Sequence, residues 1–161
     1  MPTQVVEAGL TTDYTYDTSG RVLTKTQTDT TTITVPYATN GRTRTWTYSW
    51  STTGQLLSVD GPLAGVGDKV TYGYSTSGYL GTVTNELGKI TTVNTANWRG
   101  QPLTVTDSNG VGSTFTYDIQ GRVLTATVNP GAAQSQYGFT YDAVGNVTQV
   151  TLPKSGYVQY V

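Results

Sequence analysis

Polar and apolar residues alternate at period two along most of this chain. Thr45-Trp46-Thr47-Tyr48, Lys69-Val70-Thr71-Tyr72 and Thr114-Phe115-Thr116-Tyr117 show the pattern plainly. Successive side chains of an extended strand point to opposite faces, so each segment predicts a strand with one hydroxyl-rich and one aromatic face. No stretch repeats apolar residues at three- and four-residue spacing over several turns, so no long helix is expected. The predicted fold is all-β.

The strands recur in register with a motif. Aligned on one glycine, the chain reads YTYDTSGRVL (14–23), YSWSTTGQLL (48–57), YGYSTSGYLG (72–81), NTANWRGQPL (94–103), FTYDIQGRVL (115–124) and FTYDAVGNVT (139–148). The anchors are Gly20, Gly54, Gly78, Gly100, Gly121 and Gly145, spaced by 34, 24, 22, 21 and 24 residues, with one longer unit near the start. A second turn lies between anchors, as in Thr39-Asn40-Gly41, Asp107-Ser108-Asn109-Gly110 and Asn129-Pro130-Gly131. Two strands and two turns per unit predict an antiparallel meander of about twelve strands, forming one array over residues 1–161.

The motif residues have physical roles. In YDxxG, the carboxylates of Asp17, Asp118 and Asp142 are placed to accept from backbone amides two residues on, and the glycine closes the turn. The following Arg21 or Arg122 is placed to meet an aromatic face or an Asp. The pairs Tyr14/Tyr16, Tyr48/Trp50, Tyr72/Tyr74, Phe115/Tyr117 and Phe139/Tyr141 sit two apart, so each pair shares a face. They are expected to stack on their equivalents as an aromatic ladder. Ser51 and Ser75 replace the Asp in two copies, and residues 94–103 lack the first aromatic and the Tyr-Asp pair.

These motifs resemble the RHS/YD-repeat family, whose pattern runs roughly GxxxxxYxYDxxGRL, and the likeness extends from about Asp13 to the end. The resemblance implies a curved β-ribbon forming part of a hollow spiral shell, as in bacterial polymorphic toxins, insecticidal toxin complexes and teneurin-like adhesion proteins. It implies a secreted or surface location, a toxin polypeptide as enclosed cargo, and a structural rather than enzymatic role. The chain stops in mid-pattern, which reads as a fragment of a larger protein. The family's self-cleaving core region, with Asp in a DPxG-like context, is not recognisable, and Asn129-Pro130-Gly131 reads as a turn.

Composition narrows the alternatives. With no His and no Cys, Ser-His and Cys-His triads and the usual zinc sites are not expected, nor is any cofactor. Asp17, Asp118 and Asp142 are too far apart, at roughly two strand spacings or about 10 Å, for a carboxylate pair, and each turn offers too few oxygens for calcium. Nine Lys and Arg against ten Asp and Glu leave a net charge of -1 without a basic stripe, which argues against a nucleic-acid partner. No apolar run is long enough to span a bilayer as a helix. Two readings stand beside the shell. Open strand edges would join copies of the chain, or neighbouring repeats, into an extracellular filament or surface assembly. Exposed aromatics, Trp98 first among them, would bind a glycan in an adhesion module.

Overall fold

The computed structural model describes residues 1–65, 67–131 and 134–160. It contains fourteen strands in one sheet whose strand order is the chain order. Every described register is antiparallel. The six motif copies account for the twelve expected strands, and a flanking strand at each end makes fourteen. The first flanking strand arises because Ala8-Gly9 closes a hairpin that the anchor alignment did not include. A short 3-10 turn at Pro153–Ser155 precedes the last. No described helix is long and apolar enough to cross a membrane.

The chain divides into two compact units, Met1–Tyr72 with Thr84–Gly88, and Gly73–Val83 with Lys89–Val161. The first holds β1 (Gln4–Glu7), β2 (Leu10–Tyr16), β3 (Val22–Asp29), β4 (Thr43–Trp50) and β5 (Leu56–Asp60). The boundary runs through β6 (Val70–Tyr74) and β7 (Leu80–Thr84). The second unit holds β8 (Ile90–Ala96), β9 (Pro102–Thr106), β10 (Gly112–Tyr117), β11 (Val123–Val128), β12 (Ser135–Tyr141), β13 (Val147–Thr151) and β14 (Tyr157–Gln159).

A single layer has nothing to bury its faces against, and among the described residues no hydrophobic side chain is buried. The buried side chains are the hydroxyls of Thr12, Ser58 and Thr127. One face is knitted by paired hydroxyls across neighbouring strands: Thr15–Thr24 at 2.6 Å, Ser49–Ser58 at 2.6 Å, Thr95–Thr104 at 2.7 Å, Thr116–Thr125 at 2.7 Å and Thr140–Thr148 at 2.8 Å. Such cross-strand pairs each contribute about 0.2–1 kcal/mol. They explain the Thr-X-Thr alternation. On the other face three first-position aromatics lie opposite an aliphatic residue, Tyr48 opposite Val59, Phe115 opposite Ala126 and Phe139 opposite Val150, while Tyr14 lies opposite Lys25.

Each described motif hairpin has a register shift just before its second aromatic position, at Thr15/Tyr16, Ser49/Trp50, Thr95/Ala96, Thr116/Tyr117 and Thr140/Tyr141. Tyr16 lies opposite Val22 while Thr15 lies opposite Thr24, so Leu23 is the extra residue of a β-bulge. Leu57 and Leu124 occupy the same place in their copies.

Candidate functional site

In the motif turns the Asp carboxylates accept from nearby backbone amides. The Asp17 Oδ1 accepts from the Ser19 and Arg21 amides, both at 2.9 Å, while Oδ2 accepts from Arg21 Nε at 2.6 Å. Asp118 accepts from the Arg122 amide at 2.8 Å and from Arg122 Nε at 2.6 Å. Asp142 accepts from the amides of Val144 and Asn146 at 3.0 and 2.8 Å and from Asn146 Nδ2 at 2.9 Å. All three carboxyls are held below the usual carboxylate range. For Asp17 the largest cause is the Arg21 amide. For Asp142 it is the Asn146 side chain. For Asp118 partial desolvation raises the value most, but the Arg122 amide, side chain and charge together outweigh it.

The degenerate copies keep the turn by other means. Asn97 Oδ1 accepts from the Arg99 and Gln101 amides at 2.9 and 3.0 Å, so it stands in for the missing Asp. Sequence reasoning passed over Asn97, although an Asn three residues before the anchor glycine carries the same turn-forming signal. Ser51 Oγ takes the Gln55 amide at 2.9 Å, and Ser75 Oγ the Tyr79 amide at 3.2 Å. All six anchors, Gly20, Gly54, Gly78, Gly100, Gly121 and Gly145, have positive φ.

Equivalent rings of successive motifs lie on alternate strands of the sheet. Tyr14 and Tyr16, on one strand, do lie 6.4 Å apart in a stacked arrangement. Four second-position aromatics instead lean across the neighbouring strand and donate to its backbone: Tyr16 Oη to Pro2 O at 2.7 Å, Trp50 Nε1 to Val22 O at 2.8 Å, Tyr117 Oη to Pro102 O at 2.8 Å and Tyr141 Oη to Val123 O at 2.7 Å. Guanidiniums lie over two of these rings. The Arg122 guanidinium lies 4.5 Å from the Tyr141 ring centre, and Arg21 lies 5.9 Å from that of Trp50. Tyr72 and Tyr74 are half-buried on β6.

The residue after the glycine is the second element that sequence reasoning underweighted. In four of the six copies it reaches from its own turn to a backbone carbonyl of the next motif turn. Arg21 Nη1 donates to Ser51 O at 2.8 Å, Tyr79 Oη to Trp98 O at 2.6 Å, Gln101 Nε2 to Gly121 O at 2.6 Å and Arg122 Nη1 to Asp142 O at 3.3 Å. Arg, Tyr and Gln share little except reach and a terminal donor, and these are the properties the link uses. Trp98 is exposed, and the Arg99 guanidinium lies over its ring at 4.7 Å, so one face is already covered. Among the described residues no group of three or more carboxylates, His or Cys could hold a metal.

The profile of the RHS repeat family matches residues 99–134, a stretch containing the turn of Asp118 and Gly121. No curated protein matches the sequence. Among solved structures, the chain is similar to one in a Photorhabdus luminescens Tc holotoxin pore, with 19% identity and a TM-score of 0.64 over 88% of this chain and 7% of that one. It is similar to a chain of the TcdB2-TccC3 crystal structure, with 17% identity and a TM-score of 0.65 over 90% of this chain and 8% of that one. A third structure, TcdB2-TccC3 without its hypervariable C-terminal region, gives 16% and 0.68 over 93% and 8%. The RHS/YD resemblance carried by the motifs is therefore shown, and the fold is shared with these Tc toxin chains. This chain spans less than a tenth of their length.

Proposed function

We propose, from the RHS repeat at residues 99–134 and the fold shared with Tc toxin chains, that this chain is a wall segment of a secreted bacterial shell enclosing a toxin polypeptide. The observation that carries the reading is a set of four links from one motif turn to the next, by Arg21 in the first unit and by Tyr79, Gln101 and Arg122 in the second. A wall one layer thick has no core to stiffen it, so rigidity must come from neighbour-to-neighbour bonds within the sheet. Repeat proteins of this kind derive stability from each unit and its interface with the next. The role is structural. The motif carboxylates are spent on bracing turns, and the shell's remaining repeats would cover the strand edges.

Limited proteolysis of the natural protein that carries this segment tests the reading. The enclosed polypeptide should resist a protease that degrades it readily when it is expressed alone. Cleavage at the same rate in both settings would overturn enclosure.

A second reading is favoured by one observation: the outer strands β1 and β14 are exposed along their whole length. Exposed edge strands are templates for pairing, so copies of the chain would join into filaments. Electron microscopy with light scattering separates the readings: a soluble monomer fits a wall segment, and regular filaments fit an assembling subunit.

A further inference from the structure

The longest repeat owes its length to the connection between β3 and β4. A cavity of about 490 Å³ lies between that connection and the sheet. Tyr37, Thr39 and Arg42 line it from the connection, Gln27 and Asp29 from β3, and Arg44 from β4. The register sets Gln27 opposite Arg44, and the Asp29 amide bonds to the Arg42 carbonyl at 3.0 Å. Residues 42 and 44 are two apart, so their guanidiniums share a face of the sheet.

These two arginines differ from those of the motif turns. Arg21 and Arg122 each hold the Asp of their own turn. Among the described residues, neither Arg42 nor Arg44 has a carboxylate within ion-pair distance. Asp29, the nearby acid, is engaged by the connection: its Oδ1 accepts from the Thr31 amide at 2.7 Å. The Thr39 side chain, first, and then the Thr31 side chain and amide hold its carboxyl below the usual range. The Arg42 guanidinium lies 6.0 Å from the centre of the Tyr37 ring, which remains largely exposed.

We propose that this cavity binds an acidic sugar, a pyranose carrying a carboxylate or a sulfate. Its volume falls within the range of small-ligand sites. Two planar guanidinium forks without a carboxylate partner suit the anionic group. The Gln27 amide and the Asp29 carboxylate suit adjacent ring hydroxyls, and the Tyr37 ring suits the C–H face of the sugar. Asp29 also decides against a bare anion, because its own charge repels a second one unless hydroxyl donors stand between them.

The test is calorimetric titration of the full chain at fixed ionic strength with glucuronate, glucose 6-sulfate, glucose, acetate, sulfate and a glutamate-rich peptide. Both acidic sugars should bind at least tenfold more tightly than glucose, acetate or sulfate. Arg44→Gln and Tyr37→Ala should each weaken them at least tenfold, with unchanged melting temperature because both side chains are exposed. Trp98→Ala should leave binding intact. Acetate or sulfate binding as well as the sugars would reduce the cavity to an anion site and overturn the proposal. So would stronger binding of the peptide, no binding at all, or binding that survives both substitutions.

Discussion

Gly100→Ala and Gly110→Ala form a matched pair in which backbone strain is equal and only the surroundings differ. Gly100 has φ +81 and Gly110 has φ +84, so an alanine at either is forced into left-handed backbone. That costs about 1–2 kcal/mol at each. A Cβ at Gly110 meets nothing within 4 Å, whereas at Gly100 it would lie 2.5 Å from Cδ1 and 2.8 Å from Cε1 of Tyr79. Those distances are below contact, so the ring must swing away. It then loses the bond from its hydroxyl to Trp98 O, worth about 1 kcal/mol. Gly100→Ala should therefore cost about 2–3 kcal/mol against about 1–2 for Gly110→Ala. For a chain of this size the gap corresponds to roughly 2–4 °C in melting temperature. Thermal melts followed by circular dichroism measure it, and a cycle with Tyr79→Ala isolates the cause. In the Tyr79→Ala background, Gly100→Ala should fall to the cost of Gly110→Ala. Equal costs in the parent chain, or a gap that persists without the Tyr79 ring, would refute the argument that the post-glycine side chain fills the space above the next turn.

Two further outcomes follow from the turns. The carboxyls of Asp17, Asp118 and Asp142 have lowered folded-state values, so their contribution is complete above the unfolded value of about 3.9 and is lost as pH falls through the lower folded values. Melting temperature should thus drop below about pH 4, and the drop should shrink in the Asp17→Asn/Asp118→Asn/Asp142→Asn triple variant; an undiminished acid transition would place the titrating groups elsewhere. Gly121→Val should lower the melting temperature more than Arg122→Ala, since a β-branched residue at φ +89 is strained by about 1–3 kcal/mol. The gap is narrower than a free surface cation would give, because Arg122 holds Asp118, the Tyr141 ring and the Asp142 carbonyl together; equal shifts would reverse these roles.

What the sequence discloses here is local, and what it conceals is the relation between repeats. Period-two alternation and recurrent glycines are signals within ten residues, and they yield the strands, the turns and their antiparallel order. The Asp17 brace is legible for the same reason: donor and acceptor lie four residues apart. The Tyr79–Trp98 and Gln101–Gly121 bonds join residues 19 and 20 apart, and their donors are different residue types. An alignment column holding Arg, Gln, Tyr and Asn looks unconstrained, while its geometric requirement is reach to the next carbonyl. Asn146 shows the limit of that tolerance, since its short amide turns back to Asp142. The contacts of the paired aromatics are hidden for a related reason. Spacing along one strand establishes that two rings share a face, but the contacts of each ring depend on the strand lying between equivalents. The β-bulges sharpen the point: Leu23, Leu57 and Leu124 look like ordinary strand residues, and only pairing reveals them as insertions. A repeat sheet of this kind can therefore tolerate wide sequence drift at the positions that join its units, provided a donor of sufficient length remains, which is compatible with a fold shared with Tc toxin chains at 16–19% identity.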